Sequence, residues 1–166
     1  RRQRQMCIRD SGDVVHMTSY APLLAKEKHT QWSPDLIYFN NREVKPTTGY
    51  CVQKLYGQNA GSHYIPSQII LDNQDNRVKL RIGSSIVRDS KTGDVIVKLV
   101  NLLPVSVETE IQLPGIGSVQ PSAVRTVLAG APESTPLPVT DTIEVGVNFK
   151  QQLPAYSFTV IRLKTK

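Results

Sequence analysis

The sequence predicts a mainly β protein, an antiparallel β-sandwich preceded by a single strand–helix unit of α/β type. Three observations carry this prediction. Leu36–Phe39 is a short, unbroken apolar run, as expected of a strand buried on both faces, and a helical pattern follows it. Near Gly61 the apolar period changes from helical to two. Beyond that point no helical pattern separates the strands, which excludes parallel crossovers.

The strand–helix unit runs from Gln31 to Tyr56. Asn40 and Asn41 end its strand with turn chemistry. Pro46 and Thr47-Thr48 announce a helix start, because a Thr side chain accepts a hydrogen bond from an orphan N–H. Tyr50, Val52, Leu55 and Tyr56 fall near helical spacing, and Gly57 is placed to end the helix. A buried parallel strand needs neighbours that the sequence does not supply. The expectation is therefore the tail of an α/β domain joined to a complete all-β domain.

The segments before this unit are less regular. Residues 1–11 are basic and lack an apolar period, so they are set apart as a non-native lead. Residues 12–29 begin with the end of a helix-like segment containing Val14, Val15 and Met17. Tyr20–Leu24 follows as a short strand or an irregular segment broken by Pro22. Lys26–His29 reads as a charged loop. His16 and His29 have ordinary explanations, a partly buried ring and a loop residue.

Gln58–His63 is the candidate linker. Tyr64–Leu71 is a lead-in strand interrupted by Pro66, and residues 72–76 form a polar turn. Val78, Leu80 and Ile82 alternate with Lys79 and Arg81. Ser85–Val87 and Asp94–Asn101 flank Ser90-Lys91-Thr92-Gly93, a hairpin turn. Val105, Val107, Thr109 and Ile111 alternate with polar residues, and Ala123–Leu128 makes a further strand. Residues 131–140 carry three prolines and read as a long loop. Ile143, Val145, Val147 and Phe149 alternate as one strand, and Tyr156–Leu163 is the last. Seven or eight short strands with turns between them fit a sandwich with one wet face on each sheet. Such a body is expected to hold itself together. Tyr64, Phe149, Tyr156 and Phe158 are expected in its core.

Composition excludes several classes. The 166 residues hold 39% apolar and 20% charged residues, so there is material for a core and no signature of disorder. No apolar run approaches the roughly 20 residues that span a bilayer, so no membrane partner is expected. The net charge of +6 is misleading, since residues 1–11 supply +3 of it and the rest is dispersed. A nucleic-acid surface would cluster its basic residues on one face, so no nucleic-acid partner is expected. Cys7 and Cys51 lack metal-type spacing, and no metal or cofactor is expected. Cys51 reads as a buried thiol.

The search for chemistry ends without a catalytic residue. Sugar hydrolysis with retention needs two carboxyls about 5–5.5 Å apart. Glu108 and Glu110 share a strand face, but the solvated one. Asp72/Asp75 and Asp89/Asp94 belong to turns. No nucleophile elbow, phosphate loop or His-Glu-x-x-His is present. Trp32, just before the apolar run, could stack on a sugar ring or seal a barrel edge.

Four motifs, GDVVHMTSYAPLL, QWSPDLIYFNN, TGYCVQKLYGQNAG and LPAYSFTVIRL, resemble the C-terminal part of the family fifty-one α-L-arabinofuranosidases. The resemblance covers about residues 12–166 and leaves residues 1–11 unmatched. It implies that residues 12–60 are the end of a (β/α)8 barrel, with Leu36–Phe39 its final strand and Thr48–Tyr56 its final helix. Residues 61–166 would be a sandwich of jelly-roll type. Members are retaining hydrolases that remove terminal α-L-arabinofuranosyl residues from arabinan and arabinoxylan, using two Glu residues on earlier barrel strands. This chain has no Asn-Glu dipeptide of the kind that marks the acid/base. Only Trp32 is carried over, as a wall of the sugar site; some members place a polar side chain in the loop after it, which here reads Ser33-Pro34-Asp35. The implied partner is an arabinose-containing glycan, bound through the missing part of the barrel, in a parent that could be homo-oligomeric. Two alternatives stand beside this: a carbohydrate-binding sandwich module, and an interaction domain that associates through orphaned strand edges.

Overall fold

The computed structural model describes Val14 and residues 19–165. The expectations for residues 1–11, Cys7, Val15, His16 and Met17 lie outside the described residues. The N-terminal layer is a three-stranded sheet in the order β1 (Leu24–Lys26), β2 (Ile37–Phe39), β3 (Val44–Pro46). β1 and β2 are parallel, and β2 and β3 are antiparallel. β3 was not expected, since Val44-Lys45-Pro46 carries no apolar period, and it inserts a hairpin between the apolar run and the helix. β2 is also only half-buried, because β3 covers its edge and not its faces.

Helix α1 (Thr48–Gln58) starts as predicted. Thr47 is its N-cap and its Oγ1 accepts from Tyr50 N–H at 3.4 Å. Gly57 does not end it; the helix runs on to Gln58 and Asn59 caps it, its N–H bonding the Tyr56 carbonyl. The buried face is Cys51, Val52, Leu55 and Tyr56, so Cys51 is a buried thiol, free of any disulfide.

The rest is antiparallel. β4 (His63–Ile65), β5 (Ile82–Arg88), β6 (Val95–Asn101), β11 (Ser157–Thr165), β8 (Val119–Ala129) and β9 (Val139–Glu144) form a six-stranded sheet in that order. β7 (Val107–Gln112) and β10 (Asn148–Leu153) form a second sheet of two strands. The β5–β6 hairpin closes at Asp89–Asp94, where Gly93 takes a positive φ of 77°. β7 shows the predicted alternation, with Val107, Thr109 and Ile111 inward.

Three expectations fail here for physical reasons. Asn76–Lys79 is a turn of helix, α2, and not a strand: Asp75 caps it by accepting from Arg77 N–H at 2.8 Å, and Leu80 stays exposed. The run through Ile143, Val145, Val147 and Phe149 is two strands in different sheets. Val145 N–H bonds the Pro121 carbonyl of β8, whereas Leu113 N–H, beyond β7, bonds the Val147 carbonyl. The chain therefore changes sheets at Gly146. Tyr64 lies on the edge strand β4 and is 47% exposed, so it is not a core residue.

The large sheet has no wet face at its centre. Every residue of β6 is buried. Val95, Val97, Leu99, Ile161 and Leu163 pack with Ile111, Leu113 and Leu153 of the two-stranded sheet and its flanks. Ile96, Val100, Phe158 and Val160 pack on α1. The Tyr56 and Phe158 rings stack with centroids 4.6 Å apart. Lys98, on the same face, passes over the Tyr56 ring at 5.5 Å and donates from Nζ to the Asn59 carbonyl at 3.3 Å. That cation sits at the C-terminal end of α1, where the helix dipole favours it. The expected antiparallel sandwich is present, and α1 adds a third layer on the outer face of its larger sheet.

Polar ties fix the rims. Asn101, fully buried, faces the carbonyls of Val105, Leu153 and Pro154 and accepts from Leu103 N–H, joining the two crossings between sheets. Arg162 donates to Asp94 at 2.7 Å and to Asp89 at 2.8 Å. Arg125 pairs with Asp141 and reaches Gln151 of the second sheet at 2.9 Å.

Phe158→Ala is expected to cost about 3–5 kcal/mol, by removing the ring under α1, and Thr47→Ala about 1 kcal/mol. Urea unfolding of both variants checks the ranking; equal losses would contradict the packing described. Acid provides a second check. The Asp89 carboxyl is held below its usual value, chiefly by the Lys91 N–H and then by Arg162, and that of Asp141 by Arg125. Stability from lowered carboxyls is complete above their unfolded value of about 3.9 and is lost as pH falls through the folded values. The melting temperature should therefore hold to about pH 5 and fall below about pH 4. Asp141→Asn should shrink that fall, as read by circular dichroism.

Candidate functional site

The candidate site is the loop 27–36 and the cleft beside it. The loop leaves the C-terminal end of β1 and returns at the start of β2. Its turn is held by Thr30, whose Oγ1 accepts from Trp32 N–H at 3.1 Å and lies 3.0 Å from the Trp32 carbonyl and 3.1 Å from Asp35 Oδ2. A hydroxyl has one proton, so only one of those two acceptors is satisfied at a time. Asp35 N–H in turn donates to the Tyr38 hydroxyl at 3.0 Å. Trp32 stands on the outside of this turn, 68% exposed, and Asp35 on the inside, 1% exposed.

Below the loop, the carboxylates of Glu27 and Glu43 share Lys45, each 2.9 Å from its Nζ. The Asn40 amide also donates to both, at 2.8 and 3.3 Å. These bonds hold both carboxyls below their ordinary value and raise the Lys45 ammonium, with the Lys45–carboxylate bonds the largest cause in each case. Among the described residues, the carboxyls whose pKa departs from the usual range are Glu27, Glu43, Asp75, Asp89 and Asp141, and all five are lowered. No group of three or more metal-ligating side chains occurs among the described residues.

A cleft of about 360 Å³ lies between this layer and the sandwich. Tyr20, Pro34 and Asp35 line one side, Thr47–Gly49 and Val52 of the α1 start another, and residues 132–135 of the β8–β9 loop close it. The Thr48 hydroxyl approaches the Ser134 carbonyl at 3.5 Å across the gap. The loop is tight: a Cβ on Gly130 would come within 2.6 Å of Ser134 Oγ and 2.9 Å of Pro136 Cγ. The sequence prediction picked out Trp32, which is exposed at the loop tip and does not line the cleft. Asp35 entered the sequence reading only as the last residue of the loop Ser33-Pro34-Asp35, and it lines the cleft.

The chain matches the model of the α-L-arabinofuranosidase C-terminal domain over residues 6–157, which includes the last part of the segment set apart as a lead. It belongs to that family. An arabinose-bound α-L-arabinofuranosidase of family fifty-one is 31% identical with a TM-score of 0.85, over 98% of this chain and 26% of that one. An extracellular exo-α-L-arabinofuranosidase of Streptomyces chartreusis is 50% identical over 58 residues, 35% of this chain and 7% of that protein. A probable α-L-arabinofuranosidase A of Aspergillus terreus is 34% identical over 110 residues, 65% and 16% of the two chains. The chain therefore spans a small part of the length of the relatives it matches. The arabinofuranosidase of Thermotoga maritima, at 13% identity and a TM-score of 0.76, shares the fold. In this C-terminal-domain family member, the antiparallel sandwich expected from the period-two segments is present.

Lys45→Met is expected to return the Glu27 and Glu43 carboxyls toward their ordinary value, since it removes the largest lowering influence on each. Carboxyl NMR titration reads this directly. Values unchanged in the variant would contradict the shared ion pair.

Proposed function

We propose that this chain serves as the C-terminal part of an α-L-arabinofuranosidase, bracing a catalytic barrel whose acidic residues lie upstream. The observation that carries this is the open N-terminal layer. β1 and β3 are both edge strands, and Leu23, Leu24, Trp32 and Val44 around them are 51–68% exposed. Exposed apolar residues beside unpaired strand edges are a surface that further chain would cover. On this proposal residues 12–60 end a (β/α)8 barrel and residues 61–166 form the sandwich. α1 is the joint, since one face of it belongs to the sandwich core.

The reaction proposed for the parent is removal of terminal α-L-arabinofuranosyl residues from arabinan- or arabinoxylan-type glycans with retention, by two upstream Glu residues. Barrel enzymes place substrate contacts on loops that leave the C-terminal ends of strands. The Trp32 loop leaves the C-terminal end of β1, which supports Trp32 as a wall of the sugar site. The ion pairs of Glu27 and Glu43 with Lys45 support a bracing role for that cluster.

The test is turnover of 4-nitrophenyl α-L-arabinofuranoside. The 166-residue chain should give none. The product of the open reading frame that contains it should hydrolyse the substrate, and Trp32→Ala in that product should lower kcat/KM by about tenfold, the scale of a lost sugar–aromatic contact. Turnover by the chain alone, or an inactive longer product, would sink the proposal.

A further inference from the structure

The loop that carries Trp32 has neither of the two common supports of a loop. Residues 28–34 are all exposed, so no apolar side chain pins it to the core. Among the described residues, no backbone–backbone hydrogen bond begins or ends within residues 30–35. Only its ends are fixed by backbone: His29 N–H bonds the Lys26 carbonyl at 3.0 Å, and Leu36 N–H bonds the Pro22 carbonyl at 3.3 Å. Between those points the shape of the chain depends on side chains.

Two hydroxyls supply what the backbone does not. Thr30 Oγ1 accepts from Trp32 N–H at 3.1 Å and stands 3.1 Å from Asp35 Oδ2. A threonine that bonds the N–H two residues on is a local turn device. The Thr30 hydroxyl has one proton, and a carboxylate accepts it more strongly than the Trp32 carbonyl does. The Tyr38 hydroxyl accepts from Asp35 N–H at 3.0 Å. Asp35 is 1% exposed and Tyr38 belongs to β2. The bonds therefore run from the sheet to Asp35, from Asp35 to Thr30, and from Thr30 to Trp32. Trp32 itself is 68% exposed, so packing sets little of its direction. The placement of its backbone, which rests on one hydroxyl, aims the ring.

We propose that Thr30 is the positioning residue for Trp32, anchored on Asp35 and through it on the Tyr38 hydroxyl. It touches no substrate; it fixes where the aromatic wall stands, and a misplaced wall costs rate as well as affinity. That the wall serves a sugar rests on the proposed function. The clasp itself is made wholly of residues of this chain and is testable without turnover.

Trp32 is the single tryptophan of the chain, so residue-selective labelling identifies its amide in NMR spectra. In the 166-residue chain the order parameter of the Trp32 amide is expected near the rigid-backbone value of about 0.85. Thr30→Val keeps the side-chain shape and removes the hydroxyl, and should bring it below about 0.6. Thr30→Ser returns the hydroxyl and should restore rigidity. Tyr38→Phe frees Asp35 N–H and should loosen the Asp35 amide in the same way. In the product of the open reading frame, Thr30→Val should lower kcat/KM for the aryl arabinofuranoside severalfold, and Thr30→Ser should recover it. In a Trp32→Ala background the same change should cost less than about twofold more, because a residue acting through Trp32 has nothing left to aim. A Trp32 amide that stays rigid in Thr30→Val, or losses that multiply in the double variant, would overturn the inference. The two readouts also separate it from the proposed function. Order parameters that respond as expected with an inactive longer product would uphold the clasp and reject the activity. An active product whose Trp32 amide ignores Thr30→Val would reject the clasp alone.

Discussion

The structure depends on how the face of the six-stranded sheet opposite β7 and β10 is covered. A sheet of this width has two apolar faces at its centre, and each must be buried. The two strands β7 and β10 cover one. The other, with Ile96, Val100, Phe158 and Val160, is covered by α1, which precedes the sandwich in the chain. The contact is made by a stacked aromatic pair, Tyr56 on Phe158, and fixed in direction by Lys98. Its stem lies in the sheet face, and its ammonium reaches the carbonyl at the end of the helix. A lysine in the middle of a buried strand would otherwise be a fault in the core. Here it sets how far along the sheet the helix can sit, because its reach ends at Asn59.

That arrangement explains which parts of the fold were legible in the sequence. β7 was legible because its outer face is wet, so Glu108, Glu110 and Gln112 announce the period. The β5–β6 hairpin was legible because its turn needs a positive φ and Gly93 supplies it. The three-layer packing was not. β6 is apolar almost throughout, which is compatible with one covered face or two, and nothing in the strand names the second cover. The division of residues 139–153 between two sheets was hidden because Ile143, Val145, Val147 and Phe149 keep one phase through the corner. Only the partners of Val145 N–H and of the Val147 carbonyl separate the two strands. α2 was hidden for the opposite reason. Val78 and Leu80 alternate by coincidence, and a single capping aspartate outweighs that alternation over one turn.

The site was less legible than the fold. Trp32 attracts notice because an isolated tryptophan is conspicuous in a sequence, but its backbone bonds to Thr30 turn it outward. Asp35 attracts notice only through the loop Ser33-Pro34-Asp35 that the resemblance marks. Its position two residues before a β-strand would suit any turn. What distinguishes it is three-dimensional: it is enclosed by Pro34, the start of α1 and a loop that follows it by about a hundred residues, and one of its oxygens has no donor among the described residues. No local pattern encodes that loop's approach.

The same long-range approach bears on why the cleft exists. Residues 130–138 leave β8 at Gly130, where a side chain would collide with Ser134 and Pro136, so the loop must fold back tightly over itself. Folding back carries Ser134 to within 3.5 Å of Thr48 and leaves space under residues 132–135 instead of filling it. The Thr48–Ser134 bond ties the loop to the start of α1. The sandwich thus meets the N-terminal layer at the face of α1 and, through residues 132–135, borders the cleft beside Asp35.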